Sequence, residues 1–153
     1  YFHLKIRTIK QNKKILELKL DKYKLLKEKN EYKPLDKLAK EEQQIKESHI
    51  YKRLMNGIEE QTFRLVEEDW KEIQNLINQS YENFDSNLRG FLDVTPQEYR
   101  ICLLLKMGVS PTNIAHFVNL TKEAITASRR RMYTKAFSKK GKPADWDKII
   151  ISL

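Results

Sequence analysis

"TPQEYRICLLLKMGVSPTNIAHFVNLTKEAITASRRRMYTKAF", residues 95–137, decides the fold. Thr95 is a suitable N-cap, Pro96 fits the first helical position, and Glu98 completes a Thr-x-x-Glu capping box. A helix therefore starts at Pro96 and closes at Gly108, which stands at a C-cap position. Ser110 and Pro111 repeat the cap-then-proline signal two residues later. They open a short helix, "PTNIAHFV", which runs to a turn at Asn119-Leu120. Thr121 then caps a third helix from Lys122 to about Phe137. Helix, tight turn, short helix, turn, longer basic helix is the order of a helix-turn-helix unit.

The third helix ends in Arg129-Arg130-Arg131, and its periodicity separates their roles. At about 100° per residue, Ile125, Met132 and Ala136 share the inward side, while the three arginines span about 200° and cannot all face one groove. Arg129 falls on the flank of the apolar stripe, where its stem is expected to pack and its head to reach solvent. The outward face is Thr126, Ala127, Arg130, Arg131 and Thr134, with Glu123 at its start. On this face Arg130 is placed to meet a guanine edge with two hydrogen bonds, and Ala127 a thymine methyl. Lys122, Arg131, Thr134, Lys135, Lys139 and Lys140 are expected at phosphates, which fix position without specifying sequence. The caps Ser110 and Thr121 begin helices whose first N–H groups suit phosphates as well.

Working outward, the 153 residues include 4 Gly and 4 Pro, with 40% hydrophobic and 33% charged residues. That composition suits an all-α chain with long exposed faces and disfavours a β-sandwich. The net charge of +9 is unevenly spread. Residues 1–34 hold 11 Lys and Arg against 4 Asp and Glu, residues 35–94 hold 8 against 13, and residues 95–153 hold 11 against 4. Two basic ends thus flank an acidic middle. A solvated surface is the bland reading of such runs, but a basic block on a helix-turn-helix points to nucleic acid.

"HLKIRTIKQNKKILELKLDKYKLLKEKNEYKP" has no Gly and no Pro before Pro34, and predicts one helix from about residue 4 to 32. Its apolar residues form two stripes, Ile15, Leu18, Leu25 and Leu16, Leu20, Tyr23, interrupted by Lys13, Lys22 and Lys27. The helix is either a coiled-coil seam, which would pair two chains into a homodimer, or a solvent-bridging helix. A second polar helix follows from Leu35 to about Ser48. Trp70, Ile73, Ile77, Tyr81, Phe84, Leu88 and Phe91 then recur at steps of three and four, placing a core stripe on one helix or two consecutive ones. The tail "ADWDKIIISL" aligns Trp146, Ile149, Ile150 and Leu153 on a face expected to dock on the domain. The chain divides into a helical linker (1–48), a helical dimerisation or support region (49–94) and the helix-turn-helix domain with its docking tail (95–153).

Enzyme chemistry finds no foothold in this pattern. His3, His49 and His116 are far apart, with neither metal-ligand spacing nor a Ser/His/Asp arrangement, and no glycine-rich phosphate loop is present. The lone Cys102 excludes an internal disulfide and reads as a small core residue. No catalytic residue, metal or cofactor is expected. No apolar stretch is long enough to cross a bilayer. Since the first residue is Tyr1 rather than Met, the sequence is expected to be part of a longer chain.

In the register of residues 94–137 the sequence resembles the LuxR/GerE-type helix-turn-helix family. The resemblance rests on Val94-Thr95-Pro96-Gln97-Glu98, Gly108-Val109-Ser110, Ile114-Ala115, Leu120-Thr121 and Ala124-Ile125. It implies double-stranded DNA as partner, and by position it puts the family's base-reading sites on Thr126, Ala127 and Arg130. Thr126 and Ser128 stand where the family often carries Lys and His, and Ala136 where it carries Leu. Residues 48–153 further resemble the cytoplasmic C-terminal region of membrane-anchored regulators of Bacteroidota, in which tetratricopeptide repeats precede a transmembrane helix. That resemblance implies a cytoplasmic regulator tethered to the inner membrane, with Tyr1, Phe2, Lys5, Arg7, Lys10, Lys13 and Lys14 at the cytoplasmic exit. The alternative is a helix-turn-helix and coiled-coil adaptor that binds protein rather than DNA.

Overall fold

A computed structural model describes residues 1–31 and 33–153. Its order is α1 (Phe2–Glu31), α2 (Leu35–Glu47), α3 (His49–Gly57), α4 (Glu67–Ser80), α5 (Phe84–Arg89), α6 (Pro96–Lys106), α7 (Pro111–Val118), α8 (Lys122–Phe137) and α9 (Pro143–Ser152). No strand occurs among the described residues. The fold class is therefore the expected one, all-α, with a long N-terminal helix followed by a helical bundle. The expected end of the first helix near residue 32 lies outside the described residues.

The aromatic stripe resolves into two helices rather than one. α4 stops at Ser80 because Tyr81 turns extended (φ −125, ψ 106), and Asn83 takes a left-handed conformation (φ 62) before α5 starts. Asparagine tolerates that conformation better than most residues, so the break costs little. Trp70, Ile73, Ile77, Phe84, Leu88 and Phe91 still enter one continuous core, with Tyr81 partly buried against it.

The punctuation of the helix-turn-helix is realised atom by atom. Thr95 Oγ1 accepts the N–H of Glu98 at 3.2 Å, and Glu98 Oε1 accepts the N–H of Thr95 at 3.0 Å. At the far end of α6, Val109 N–H reaches Leu104 O and Gly108 N–H reaches Leu105 O, both at 3.0 Å. With Gly108 at φ +90, this is a Schellman closure that only glycine enters without strain. α7 closes with the same pair of bonds, Leu120 N–H to Ala115 O and Asn119 N–H to His116 O, around Asn119 at φ 56. α6, α7 and α8 pack on one another, and α9 covers α8 and α6 with Trp146, Ile149, Ile150 and Leu153 buried. Cys102 is fully buried in α6, where Sγ donates to Met132 Sδ of α8 at 3.6 Å, and burial pushes its thiol pKa far up. It is a core residue, as its setting in "ICLLLK" suggested.

Although α1 contributes no fully buried residue, it is attached. Leu16, Leu20, Tyr23 and Leu26 pack against the core, and α1 lies on α8 and α9. Lys19 Nζ donates to Ala136 O at the C-terminal end of α8 at 3.1 Å, Asn30 Nδ2 donates to Ser152 O, and Lys22 Nζ lies 5.6 Å from the Phe91 ring centroid. Of the two sequence stripes, then, one docks on the chain's own domain. The other leaves Ile15, Leu18 and Leu25 exposed.

Lys106 closes a cleft between α1, α2 and α9. Its Nζ donates to Ile151 O at 2.8 Å and Leu153 O at 2.7 Å, and lies 4.0 Å from the Tyr81 ring centroid. Burial, aided by the charge of Lys33, pushes its pKa down to about 8 from 10.5. The unfolded chain keeps this proton up to the higher value and the folded chain only to the lower. Between them the unfolded state binds more protons, so Lys106 makes stability rise with pH. The expected rise from pH 8 to pH 10 is on the order of 1–3 kcal/mol. Urea unfolding across that range should show it in the parent chain and lose it in Lys106→Met; an identical pH dependence in both would exclude the assignment.

Candidate nucleic-acid interface

α8 is a helix with one fixed side and one open side. Ile125, Ser128, Arg129, Met132, Ala136 and Phe137 are buried, and Lys122, Glu123, Ala127, Arg130, Arg131, Thr134 and Lys135 are exposed. Thr126 is half-buried at the border. Apart from Thr126, the face expected to read bases is thus presented to solvent, and Lys139 and Lys140 extend it as exposed residues beyond the helix. The inward side is held by Phe137, whose ring lies 5.8 Å from Phe91, 5.0 Å from Tyr133 and 6.4 Å from Tyr23.

The three arginines do divide, though one differs from expectation. Arg129 does not send its head to solvent: it is 9% exposed, and its Nε donates to Asp147 Oδ1 at 2.8 Å while Nη2 donates to Oδ2. This two-pronged pair ties α8 to α9, geometry that suits the planar guanidinium fork. The sequence places Arg129 on the flank correctly, but Asp147 lies on a separate helix, so the partner has no local signal. Arg130 stands exposed on the outward face. Arg131 is also exposed, with Nη2 donating back to Ser128 Oγ at 3.0 Å. That local bond holds the head near the helix surface.

Lys135, expected at a phosphate, has an acidic neighbour. Its Nζ lies 3.2 Å from both carboxylate oxygens of Glu98, a side chain only 3% exposed. Burial opposes the charge on Glu98, but the Thr95 N–H, the Lys135 ammonium and the Thr95 hydroxyl outweigh it and hold the carboxyl below its usual range. Lys135 therefore bridges α8 to the start of α6, and any phosphate contact would compete with that pair. Glu98 is legible in the sequence only as a capping residue; its second role follows from the tertiary approach of α8.

The caps behave as read. Ser110 Oγ accepts from Asn113 N–H at 3.3 Å and Thr121 Oγ1 from Ala124 N–H at 3.0 Å. Both cap residues are exposed, so the positive ends of α7 and α8 open toward solvent. α7 is braced from behind by His116, whose Nε2–H donates to Gly57 O at 3.1 Å, and by Phe117 against Phe63 at 5.8 Å. These contacts make His116 a packing residue.

Two cations outside the expected set stand beside the C-terminal end of α8. Lys19 from α1 and Arg89 from α5 line a shallow depression with Lys135, Gly90, Phe91, Leu92 and Asp93. Burial lowers the Lys19 pKa, with Asp93 working against it. Neither residue belongs to the helix-turn-helix motif, and only the docking of α1 and α5 brings them there. Among the described residues no group of three or more His, Cys, Asp or Glu is arranged to hold a metal, and no helix is long and apolar enough to cross a membrane. No protein-family model, curated protein or solved structure matches this chain.

Proposed function

We propose that this chain is a sequence-specific, DNA-binding transcription regulator that inserts α8 into the major groove. The observation that carries the reading is the partition of α8: an apolar side locked into the core, and an exposed side bearing Ala127, Arg130, Arg131 and Thr134. Its agreement with the LuxR/GerE-type pattern of residues 94–137 supports the same assignment. Thr126, Ala127 and Arg130 read bases. Lys122, Arg131, Thr134, Lys139 and Lys140, with the amides capped by Ser110 and Thr121, hold phosphates, and Lys135 joins them when it leaves Glu98. The chain acts as a homodimer through its N-terminal helices, since one such unit reads only a few base pairs. It forms the cytoplasmic part of a regulator tethered to the inner membrane.

Selection from randomised duplexes with the parent chain, Arg130→Ala and Arg131→Ala tests the assignment. Arg130→Ala should cost about 1–3 kcal/mol on the selected duplex and relax the preference at one position. Arg131→Ala should weaken all duplexes alike and lower the slope of log affinity against log salt by about one. If both variants act alike on every sequence, binding is by charge alone and the base-reading assignment falls.

A further inference from the structure

The exposed stripe of α1 has a heptad spacing distinct from the docked one. Leu4, Gln11, Leu18 and Leu25 fall at seven-residue intervals, with Thr8, Ile15, Lys22 and Lys29 at the intervening positions. Leu4, Ile15, Leu18 and Leu25 are between 51% and 67% exposed, which is unusual for four large aliphatic side chains along one helix face. At about 100° per residue this seam is turned by roughly 120° from the side that holds Leu16, Leu20 and Tyr23. A partner helix can therefore occupy it without displacing the domain.

We infer that this seam pairs with α1 of a second copy of the chain, and that the two helices run antiparallel about Ile15 and Leu18. The inference deepens the homodimer in the proposed function and rests on it. Charge sets the direction. The first half of α1 carries Lys5, Arg7, Lys10, Lys13 and Lys14 with no acidic residue, and every acid of the helix lies in the second half, at Glu17, Asp21, Glu28 and Glu31. A parallel pair would press the two acid-free basic halves together and set Lys14 beside Lys19 of the second copy. An antiparallel pair sets Arg7 beside Glu28 and Lys14 beside Asp21, each twice by symmetry, in the flanking positions that choose orientation in coiled coils.

The layers agree with the same register. Ile15 meets Leu18 of the second copy at the centre, Thr8 meets Leu25, and Gln11 meets Lys22, a polar layer that fixes alignment. Lys22 is drawn toward the Phe91 ring of its own domain, which relieves the crowding of that layer. In this register the whole of α1, Phe2–Glu31, overlaps its copy from end to end; the two N-termini stand at opposite ends, so in a tethered chain the pair lies along the membrane surface. Symmetry adds a functional consequence. The two-fold axis of an antiparallel pair is perpendicular to the helices, so both domains lie on the same side of the pair. The axis of a parallel pair runs along the helices and sends the domains to opposite sides. Only the antiparallel arrangement offers both α8 helices to one duplex from one side.

Thr8→Cys and Leu25→Cys, each made in the full chain, test this in the absence of DNA. Mixed in equal amounts and equilibrated in a glutathione redox buffer, they should form the Thr8→Cys to Leu25→Cys disulfide well above its statistical share of one half. Cys102 is fully buried and does not compete. Excess linkage of like variants would show a parallel pair and overturn the inference. A monomer in light scattering at tens of micromolar would overturn it too. Leu18→Glu should abolish both dimer and cross-link while leaving the helicity of the folded monomer unchanged, because Leu18 is exposed and is not packed on the core. Because no DNA takes part, loss of duplex binding in Arg130→Ala should leave the cross-link pattern intact, so the two readings fail separately.

Discussion

Phe137→Ala is expected to destabilise the chain by ~3–5 kcal/mol, the largest loss of any single truncation considered. Phe137 is 1% exposed at the last residue of α8, and its ring lies among three other aromatic rings. Phe91 approaches from the segment after α5, Tyr133 from the preceding turn of α8, and Tyr23 from α1. Alanine leaves a cavity that none of these neighbours can fill without breaking its own contacts, and such residual volume sets the cost. The midpoint of urea unfolding checks the size of the effect. Limited proteolysis should also show α1 cut sooner, since Tyr23 loses its partner. A loss below about 1 kcal/mol would mean that the α1 docking contributes little and that α8 is held chiefly by α6 and α9.

Arg129→Ala should cost ~3 kcal/mol by the same measurement, through a different cause. Truncation leaves the Asp147 carboxylate, 20% exposed, without the two bonds that offset its desolvation. If that is the origin, the double replacement Arg129→Leu with Asp147→Leu should lose less than Arg129→Ala alone, because no charge is then stranded. A double variant at least as unstable as the single one would mean that packing of the guanidinium, rather than pairing, joins α9 to α8.

The elements of the fold that were legible in the sequence are those specified locally. Thr95-Pro96-Gln97-Glu98, Gly108, Ser110-Pro111 and Thr121 each fix a helix boundary through bonds within a few residues, so composition and spacing suffice. The core face of α8 follows from periodicity for the same reason. What was hidden depends on approach between distant segments. Asp147 opposite Arg129, Glu98 beneath Lys135 and Lys19 against Ala136 are contacts across 18, 37 and 117 residues. No local pattern encodes those, so Arg129 reads from sequence as a solvated head and Lys135 as a phosphate contact with no acidic neighbour. The sequence left one helix or two open across the aromatic stripe, because Asn83 carries the left-handed turn between α4 and α5 without glycine or proline to mark it. α1 shows a third kind of ambiguity. Two stripes of similar apolarity run along one helix, and only the docked domain separates the one it occupies from the one left open.

In the proposed function the exposed side of α8 reads sequence. Selection of the full parent chain on randomised duplexes measures it most directly. Enrichment of a short motif, recurring as two inverted copies and bound with an affinity that falls steeply with salt, is the predicted result. Recovery of the input distribution without enrichment, or the absence of duplex binding at low salt, would contradict it.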